Sequence, residues 1–382
     1  MNEENQNIDD VMSYNFGSPD LSLPEIPVPI AQENKPEVAK DECDAAFKFA
    51  FVGAGQGGTR IAEAFYDLGY RKLAAINTAQ QDLNTSSLNN KLCIGDGGAG
   101  KNPSVAKNLY EEKKEDVLDF LRDSFGENLD RIFVCAGAGG GTGSGTAASL
   151  VHTCEELLKT IRSNNQKVGV ILALPKISEG SLVSANAFRA LDSIWNLAAS
   201  GKISPLILVD NEKINSLYPN LSVSQFWTTA NRSTAGLFHL FNMTAAKDSS
   251  YSSFDSNDYK QILDSGLMSF GAAPVQDWSQ ASNITRTVRD NLKNNLLSGG
   301  LDLSTGTTAG VVIIGGREVL DNIPQDHLDK AFDQFTRILK NGGLVHRGIY
   351  SGDQPTLTVY TAIGGLTRPH AKFEELKKLA RL

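Results

Sequence analysis

The chain has 382 residues, 41% hydrophobic and 21% charged, with 36 Lys+Arg against 44 Asp+Glu and a formal net charge of −8. This is the make-up of a soluble globular protein of one large or two ordinary domains, which excludes a wholly disordered chain. No run approaches the ~18 apolar residues of a membrane helix, so a membrane-spanning protein is excluded as well.

The charge sits at one end. Residues 1–43 hold ten acids, two bases and five of the 13 prolines, a net −8 that equals the charge of the whole chain. Such a segment buries too little apolar surface to offset its ordering entropy, so residues 1–44 are expected to be an acidic, proline-rich disordered tail. Its apolar patch at 21–30 reads either as a short docking motif or as part of a solvated leader. The acidic start lacks the apolar core of a secretory signal. The rest of the chain balances, so the body carries no basic field and no direct nucleic-acid binding is expected of it. The four cysteines are far apart and match no zinc spacing, and the five histidines are scattered. Reduced thiols, a cytoplasmic setting and no histidine metal site are expected.

Along the body, residues 46–52 predict a strand, followed by a glycine loop and a helix over 59–68. A strand is predicted at 73–76. Pro103 opens a charged helix to about 125, at the first-turn position proline tolerates. Strand 131–136, a second glycine loop and a helix from 144 to about 162 follow. Strand 168–174, helix 182–199 and strand 206–209 continue the alternation. Continuous apolar strands alternating with helices predict an α/β fold with a parallel sheet covered on both faces. A long central helix is predicted over 223–246. Beyond it, helices at 259–268, 284–297 and 326–339 and strands at 309–314, 344–350 and 357–363 predict a second, smaller α/β domain. Residues 373–382 predict a short basic amphipathic helix. The expected division is a nucleotide-binding domain at 45–222, a central helix at 223–248, a C-terminal domain at 249–367 and a basic helix or tail at 368–382.

The first glycine loop is Gly53-Ala54-Gly55-Gln56-Gly57-Gly58. Placed between a strand and a helix, its glycines let the backbone approach a phosphate at the positive end of the helix dipole. It satisfies G-x-G-x-x-G, the dinucleotide fingerprint. That fingerprint wants an acid about 20 residues on, and the next strand ends Ile76-Asn77-Thr78 with none. The second loop runs from Ala136 through Gly137-Ala138-Gly139-Gly140-Gly141-Thr142-Gly143-Ser144-Gly145. Six glycines in nine residues cost much conformational entropy. A row of backbone N–H groups around an anion would require them, and no packing reason is expected to need so many. The loop lacks the Gly-Lys-Ser/Thr ending of a Walker loop.

This second loop resembles the tubulin/FtsZ signature G-G-G-T-G-[ST]-G, and further motifs follow that family in order over about residues 46–365. Ala54-Gly55-Gln56 is similar to the tubulin phosphate loop. Ile76-Asn77-Thr78 matches the FtsZ strand ending. Gly97 to Pro103 resembles the loop facing the γ-phosphate, Glu179-Gly180 the ribose loop and Val209-Asp210-Asn211 the loop whose Asn reads guanine. Asp255-x-x-Asp258 resembles the catalytic loop. The resemblance implies GTP/GDP held by Gly55, Gln56, Gly57, Gly58, Gly98, Ala99, Gly100, Lys101, Asn102, Gly139, Gly140, Gly141, Thr142, Gly143 and Ser144. It implies Mg²⁺ near Gln56, a Thr142 donor to phosphate, Glu179 at the ribose, and Asn211 and Asn231 on the guanine edge. Trp227, four residues before Asn231, would stack on the base, with Phe226 as the alternative stacker.

The implied activity is GTP hydrolysis. Asp255 and Asp258 would act on the nucleotide of the neighbouring subunit, so that head-to-tail polymerisation switches turnover on. Their other reading is helix capping. Several positions depart from the FtsZ pattern. Ser253 stands for an Asn in the catalytic loop, Val183 for a ribose-contacting Arg and Arg60 for an Asn beside the phosphates, and Lys101 is an added base. The ending lacks the long linker and adaptor peptide of a division FtsZ. These features favour the tubulin-like proteins of plasmids and bacteriophages (the TubZ and PhuZ groups), which move or centre DNA, over an FtsZ-like division protein. The expected partners are other copies of the chain in a filament, and an adaptor or DNA-binding protein at either tail. Two further classes stay open: a nicotinamide-dependent oxidoreductase and a nucleotide-binding scaffold without turnover.

Overall fold

The computed structural model describes residues 43–161, 167–293, 297, 299–339, 342–352 and 356–382. The acidic tail, apart from residues 43 and 44, and its apolar patch lie outside the described residues.

The first half alternates strand and helix: β1 (Phe49–Ala54), α1 (Gly55–Asp67), β2 (Leu73–Asn77), α2 (Gln80–Asn84), β3 (Asn90–Cys93), α3 (Pro103–Glu112), α4 (Lys114–Phe125), β4 (Arg131–Gly137), α5 (Thr142–Thr160), β5 (Val168–Leu174), α6 (Ser181–Ala199), β6 (Ile203–Asp210) and α7 (Asn211–Leu217). The long helix α8 (Val223–Thr244) comes next. The second half contains α9 (Ser256–Leu263), β7 (Leu267–Val275), α10 (Ala281–Lys293), β8 (Thr308–Gly316), α11 (Arg317–Asn322), α12 (Gln325–Ile338), β9 (Leu344–Gly352), β10 (Leu357–Leu366) and α13 (His370–Ala380).

All ten strands form one sheet, in the order β3-β2-β1-β4-β5-β6-β7-β10-β8-β9. The first six are parallel. β7 joins β6 in parallel through Leu206↔Leu267 and Ile207↔Met268. β10 runs antiparallel to both β7 and β8, and β9 pairs with β8 in parallel. The strands expected in a second, smaller α/β domain therefore extend the first sheet.

Alternate residues of β1 face opposite layers, as the two-residue period of a strand requires. Ala50, Val52 and Ala54 pack with Leu121 of α4, Leu150 of α5 and Leu191 of α6. Phe49 and Phe51 pack on the other side with Phe65 of α1, Phe238 and Phe241 of α8 and Tyr259 of α9. Phe51 and Phe65 stack at 3.9 Å, and Phe238 meets Phe133 edge-on at 5.0 Å. Through this aromatic layer α8 lies against both α1 and α9.

Three local expectations change. The helix expected over 259–268 stops at Leu263, because Gly266 takes φ +95° and the following apolar run becomes β7. The single helix expected from Pro103 breaks at Lys113 into α3 and α4, with no proline or glycine to mark the break. The glycine loops are largely not loops. Gly53 and Ala54 finish β1, Gly55 to Gly58 are the first turn of α1, and Thr142 to Gly145 are the first turn of α5.

Candidate functional site

The order β3-β2-β1-β4-β5-β6 is that of a doubly wound sheet whose winding reverses between β1 and β4. A crevice opens there at the carboxyl ends of the strands, where ligands bind in such sheets. Both glycine-rich segments leave this crevice. α1 starts directly after β1, and α5 starts after a four-residue link from the end of β4. Neither helix has a side-chain cap or an acid in its first turn. The helices α7, α8 and α9, by contrast, are capped by Asp210, Ser222 and Asp255. Two uncapped N-termini side by side present free N–H groups and positive dipole ends, which suits a phosphate chain.

Packing explains more of the glycines than the sequence suggested. A Cβ at Gly58 would run into the carbonyl of Cys135, one at Gly139 into Val183 and one at Gly145 into the carbonyl of Pro103. At Gly141 it would sit 2.8 Å from Cβ of Ala99, and at Gly143 2.6 Å from the carbonyl of Gly137. These glycines let segments 55–58, 98–102 and 139–144 converge. Gly140 and Gly100 meet nothing within 4 Å, and Gly57 meets only Gly137. Gly100 takes φ +53°, which already favours glycine, so Gly57 and Gly140 carry the case for backbone open to a ligand. Val183, which the resemblance set in place of a ribose-contacting Arg, fills the space beside Gly139.

The hydroxyls of Thr142 and Ser144 are engaged within the protein. Thr142 Oγ1 lies 2.7 Å from Thr78 Oγ1 and donates to Asn77 Oδ1 at 3.3 Å. Ser144 Oγ donates to the carbonyl of Gly140. The first turn of α5, which carries both residues, also presents backbone N–H groups that no side chain caps. Asn102 caps α3 by accepting from Ser104 N at 3.0 Å. Gln56 is exposed in the first turn of α1. Lys101, also exposed, holds φ +59°. Its carbonyl accepts from Asn186 Nδ2 at 2.9 Å, which ties the 98–102 segment to α6.

Trp227 and Asn231, the residues expected at the base, line one cleft of about 630 Å³ with Arg60, Glu63, Asp67 and Arg232. Phe226 is buried in the core, its ring edge-on to Trp227 at 5.1 Å, so Trp227 is the aromatic left for a ligand. Asn211 does not line that cleft. It is buried at the first position of α7, behind the cap Asp210. Glu179 is exposed, and its carboxylate accepts from Lys176 N at 2.8 Å.

Asp255 and Asp258 form a reciprocal capping box. Asp255 Oδ1 accepts from Asp258 N at 2.9 Å, and Asp258 Oδ2 accepts from Asp255 N at 3.1 Å. Asp258 Oδ1 also lies 2.6 Å from Nδ1 of His346. That histidine was not singled out by the sequence, because a lone His in a strand carries no motif. Its Nε2 is buried without a hydrogen-bond partner.

These carboxylates sit at the other edge of the sheet. His346 and its partner Gly310 are each the third residue of a strand, β9 and β8, running in the same direction as β1 and β4. Arg131, the first residue of β4, donates to the carbonyl of Leu263 at 3.1 Å and to Asp264 at 2.5 Å, beside the end of α9. The glycine segments follow the carboxyl ends of the strands. A strand length of about 20 Å separates the two groups within one chain.

A doubly wound sheet, with uncapped helix N-termini at its switch point and an acidic helix start at its amino edge, defines an α/β protein whose carboxyl-edge crevice suits an anion. Residues 48–219 match the family model described as Tubulin/FtsZ family, GTPase domain. The chain is 26% identical over 248 residues to the tubulin-like protein TubZ of Bacillus cereus, covering 59% of this chain and 54% of the relative. It thus spans little more than half the length of that protein. It is 27% identical over 284 residues to the cell division protein FtsZ of Methanothermobacter thermautotrophicus, covering 71% of this chain and 68% of the relative. The fold matches a GTPγS-form protofilament of Bacillus thuringiensis serovar israelensis TubZ, with TM-score 0.74 and 19% identity over 88% of this chain and 92% of that one.

Proposed function

We propose that this protein binds and hydrolyses GTP and assembles head to tail into filaments. The observation that carries this reading is the separation of its two chemistries. The phosphate-type edge and the Asp255–Asp258 edge lie at opposite ends of the same parallel strands. They meet only when one copy's amino edge docks on the next copy's carboxyl edge. Such a heterologous contact repeats into a filament.

In this reading the N-termini of α1 and α5, with segment 98–102, hold the phosphates. Trp227 and Asn231 hold the base end, with Asn211 and Glu179 as further nucleoside contacts. Asp258 of the adjoining copy orients or deprotonates the attacking water, and Asp255 holds Asp258 by their reciprocal cap. Among the described residues no three His, Cys, Asp or Glu cluster to hold a metal. Mg²⁺ is bound mainly through substrate phosphates and retained waters, so exposed Gln56 as its one protein contact is compatible with that ion. When bound, Mg²⁺ would neutralise charge on the phosphates.

For the cellular role we favour moving or positioning DNA, as in plasmid segregation or phage DNA centring, in keeping with the TubZ relatives. The FtsZ relatives support division as the second reading. No helix among the described residues is long and apolar enough to cross a membrane. A partner would be reached through the tails.

Asp258→Ala tests the assignment. GTP binding and filaments should persist while turnover is lost. Unchanged turnover removes Asp258 from the mechanism.

A further inference from the structure

We infer that Lys372, on the C-terminal helix, is a positioning residue for the base end of the nucleotide site, acting on Asn211 through Asp210. This rests on the reading of Asn211 as a base contact. Lys372 Nζ lies 2.6 Å from Asp210 Oδ2 and 2.8 Å from Glu375 Oε2. Lys372 is 5% exposed and Asp210 1%. Burying such a pair costs several kcal/mol of desolvation per ion, and an apolar side chain could fill the same volume without that cost. Burial alone would lower the Lys372 pKa, yet Asp210 and Glu375 outweigh it and hold it above the usual amine range.

Asp210 is a junction. Its Oδ1 caps α7 by accepting from Glu212 N at 3.1 Å and Lys213 N at 3.4 Å. Its Oδ2 takes Lys372 and also accepts from Gly299 N at 3.4 Å, and its own N–H donates to the carbonyl of Leu297 at 2.6 Å. Asn211 is the next residue, so the start of α7 is set by what holds Asp210. α13 is in turn fixed to α6. Arg368 bonds Asp192 at 2.9 Å and covers the Phe373 ring at 3.9 Å, and Phe373 meets Phe188 edge-on at 6.1 Å. α6 begins two residues after Glu179. The C-terminal helix thus braces both expected nucleoside contacts, Asn211 through Asp210 and Glu179 through α6.

The test uses the full chain and compares GDP with inorganic tripolyphosphate as probes. Lys372→Met should weaken GDP binding about tenfold and leave tripolyphosphate binding within twofold. Glu375→Gln, which spares the Lys372–Asp210 pair, should leave both unchanged. If Lys372→Met fails to fold, Asp210→Asn with Lys372→Met removes both buried charges, keeps the α7 cap through the amide oxygen and gives up only the long Gly299 N–H contact. It should fold and still show the selective loss of GDP. GDP binding unchanged in a folded variant would reduce Lys372 to a stability contact and overturn the inference. Equal loss of GDP and tripolyphosphate would overturn it too, since the effect would then reach the whole site. Asn211→Ala separates the underlying reading. If that variant binds GDP normally, Asn211 is not a base contact, and the inference falls with it. No GDP binding by the unmutated chain would instead remove the nucleotide reading itself.

Discussion

Asp258 and His346 face each other across 2.6 Å, carboxylate Oδ1 to imidazole Nδ1, at the amino edge of the sheet. With Oδ2 on the Asp255 N–H, both carboxylate oxygens are oriented by the protein. The ring is in turn buried, 6.5 Å from that of Phe254. His346 therefore sets the direction in which Asp258 presents its remaining lone pairs.

Replacing His346 with Phe should lower GTP turnover about tenfold, the scale of one charge-assisted hydrogen bond. GTP affinity should stay unchanged, because the phosphate segments are at the opposite edge. Steady-state kinetics beside equilibrium nucleotide binding checks this. A matching loss of affinity would place His346 in a structural role.

Two glycines of the phosphate segments should respond in opposite ways. A Cβ added at Gly140 meets nothing within 4 Å, whereas one at Gly58 collides with the carbonyl of Cys135. Gly140→Asp should fold with near-normal thermal stability yet lose GTP, since its carboxylate repels the phosphates. Gly58→Ala should lose folded protein, an overpacking cost of about 1–3 kcal/mol or more. Circular-dichroism melting of both, with a GTP-binding assay, checks the contrast. Retained GTP binding in folded Gly140→Asp would remove that segment from the site.

The sequence made the switch-point chemistry legible because it is local. Uninterrupted apolar runs gave β4, β5 and the core of β6, and Val168–Leu174 matches its predicted bounds. Glycine runs marked where α1 and α5 begin. What could not be read depends on contacts remote in sequence. Thr142 turns its hydroxyl to Thr78, 64 residues away. Gly139 and Gly145 are required by Val183 and Pro103. His346 meets Asp258, and Lys372 meets Asp210, across the fold. β7 was hidden because its first residue, Leu267, continues the helical spacing of the apolar positions 259, 262 and 263, while the chain turns at Gly266 between them.

Acid should loosen α8. His239 is buried on that helix, its Nδ1 3.3 Å from the Tyr70 hydroxyl. Burial first, then the charge of Lys247, push its pKa down from 6.5 to about 4. The unfolded chain therefore binds this proton more readily than the folded one. The stabilisation from the neutral ring is full above pH 6.5 and is lost as pH falls toward about 4. Its scale is about 3 kcal/mol. Urea midpoints measured between about pH 7 and pH 4.5 should fall, and His239→Asn should flatten that slope. An unchanged slope in the variant would assign the acid sensitivity elsewhere.

The central claim is that a working site needs two copies of the chain. The direct measurement is GTPase rate per subunit against protein concentration, with light scattering recorded in parallel. The account predicts almost no turnover below a threshold, then a steep rise that coincides with scattering. A rate per subunit that stays flat across that range would mean a self-contained site, and Asp255 and Asp258 would lose the role given to them here.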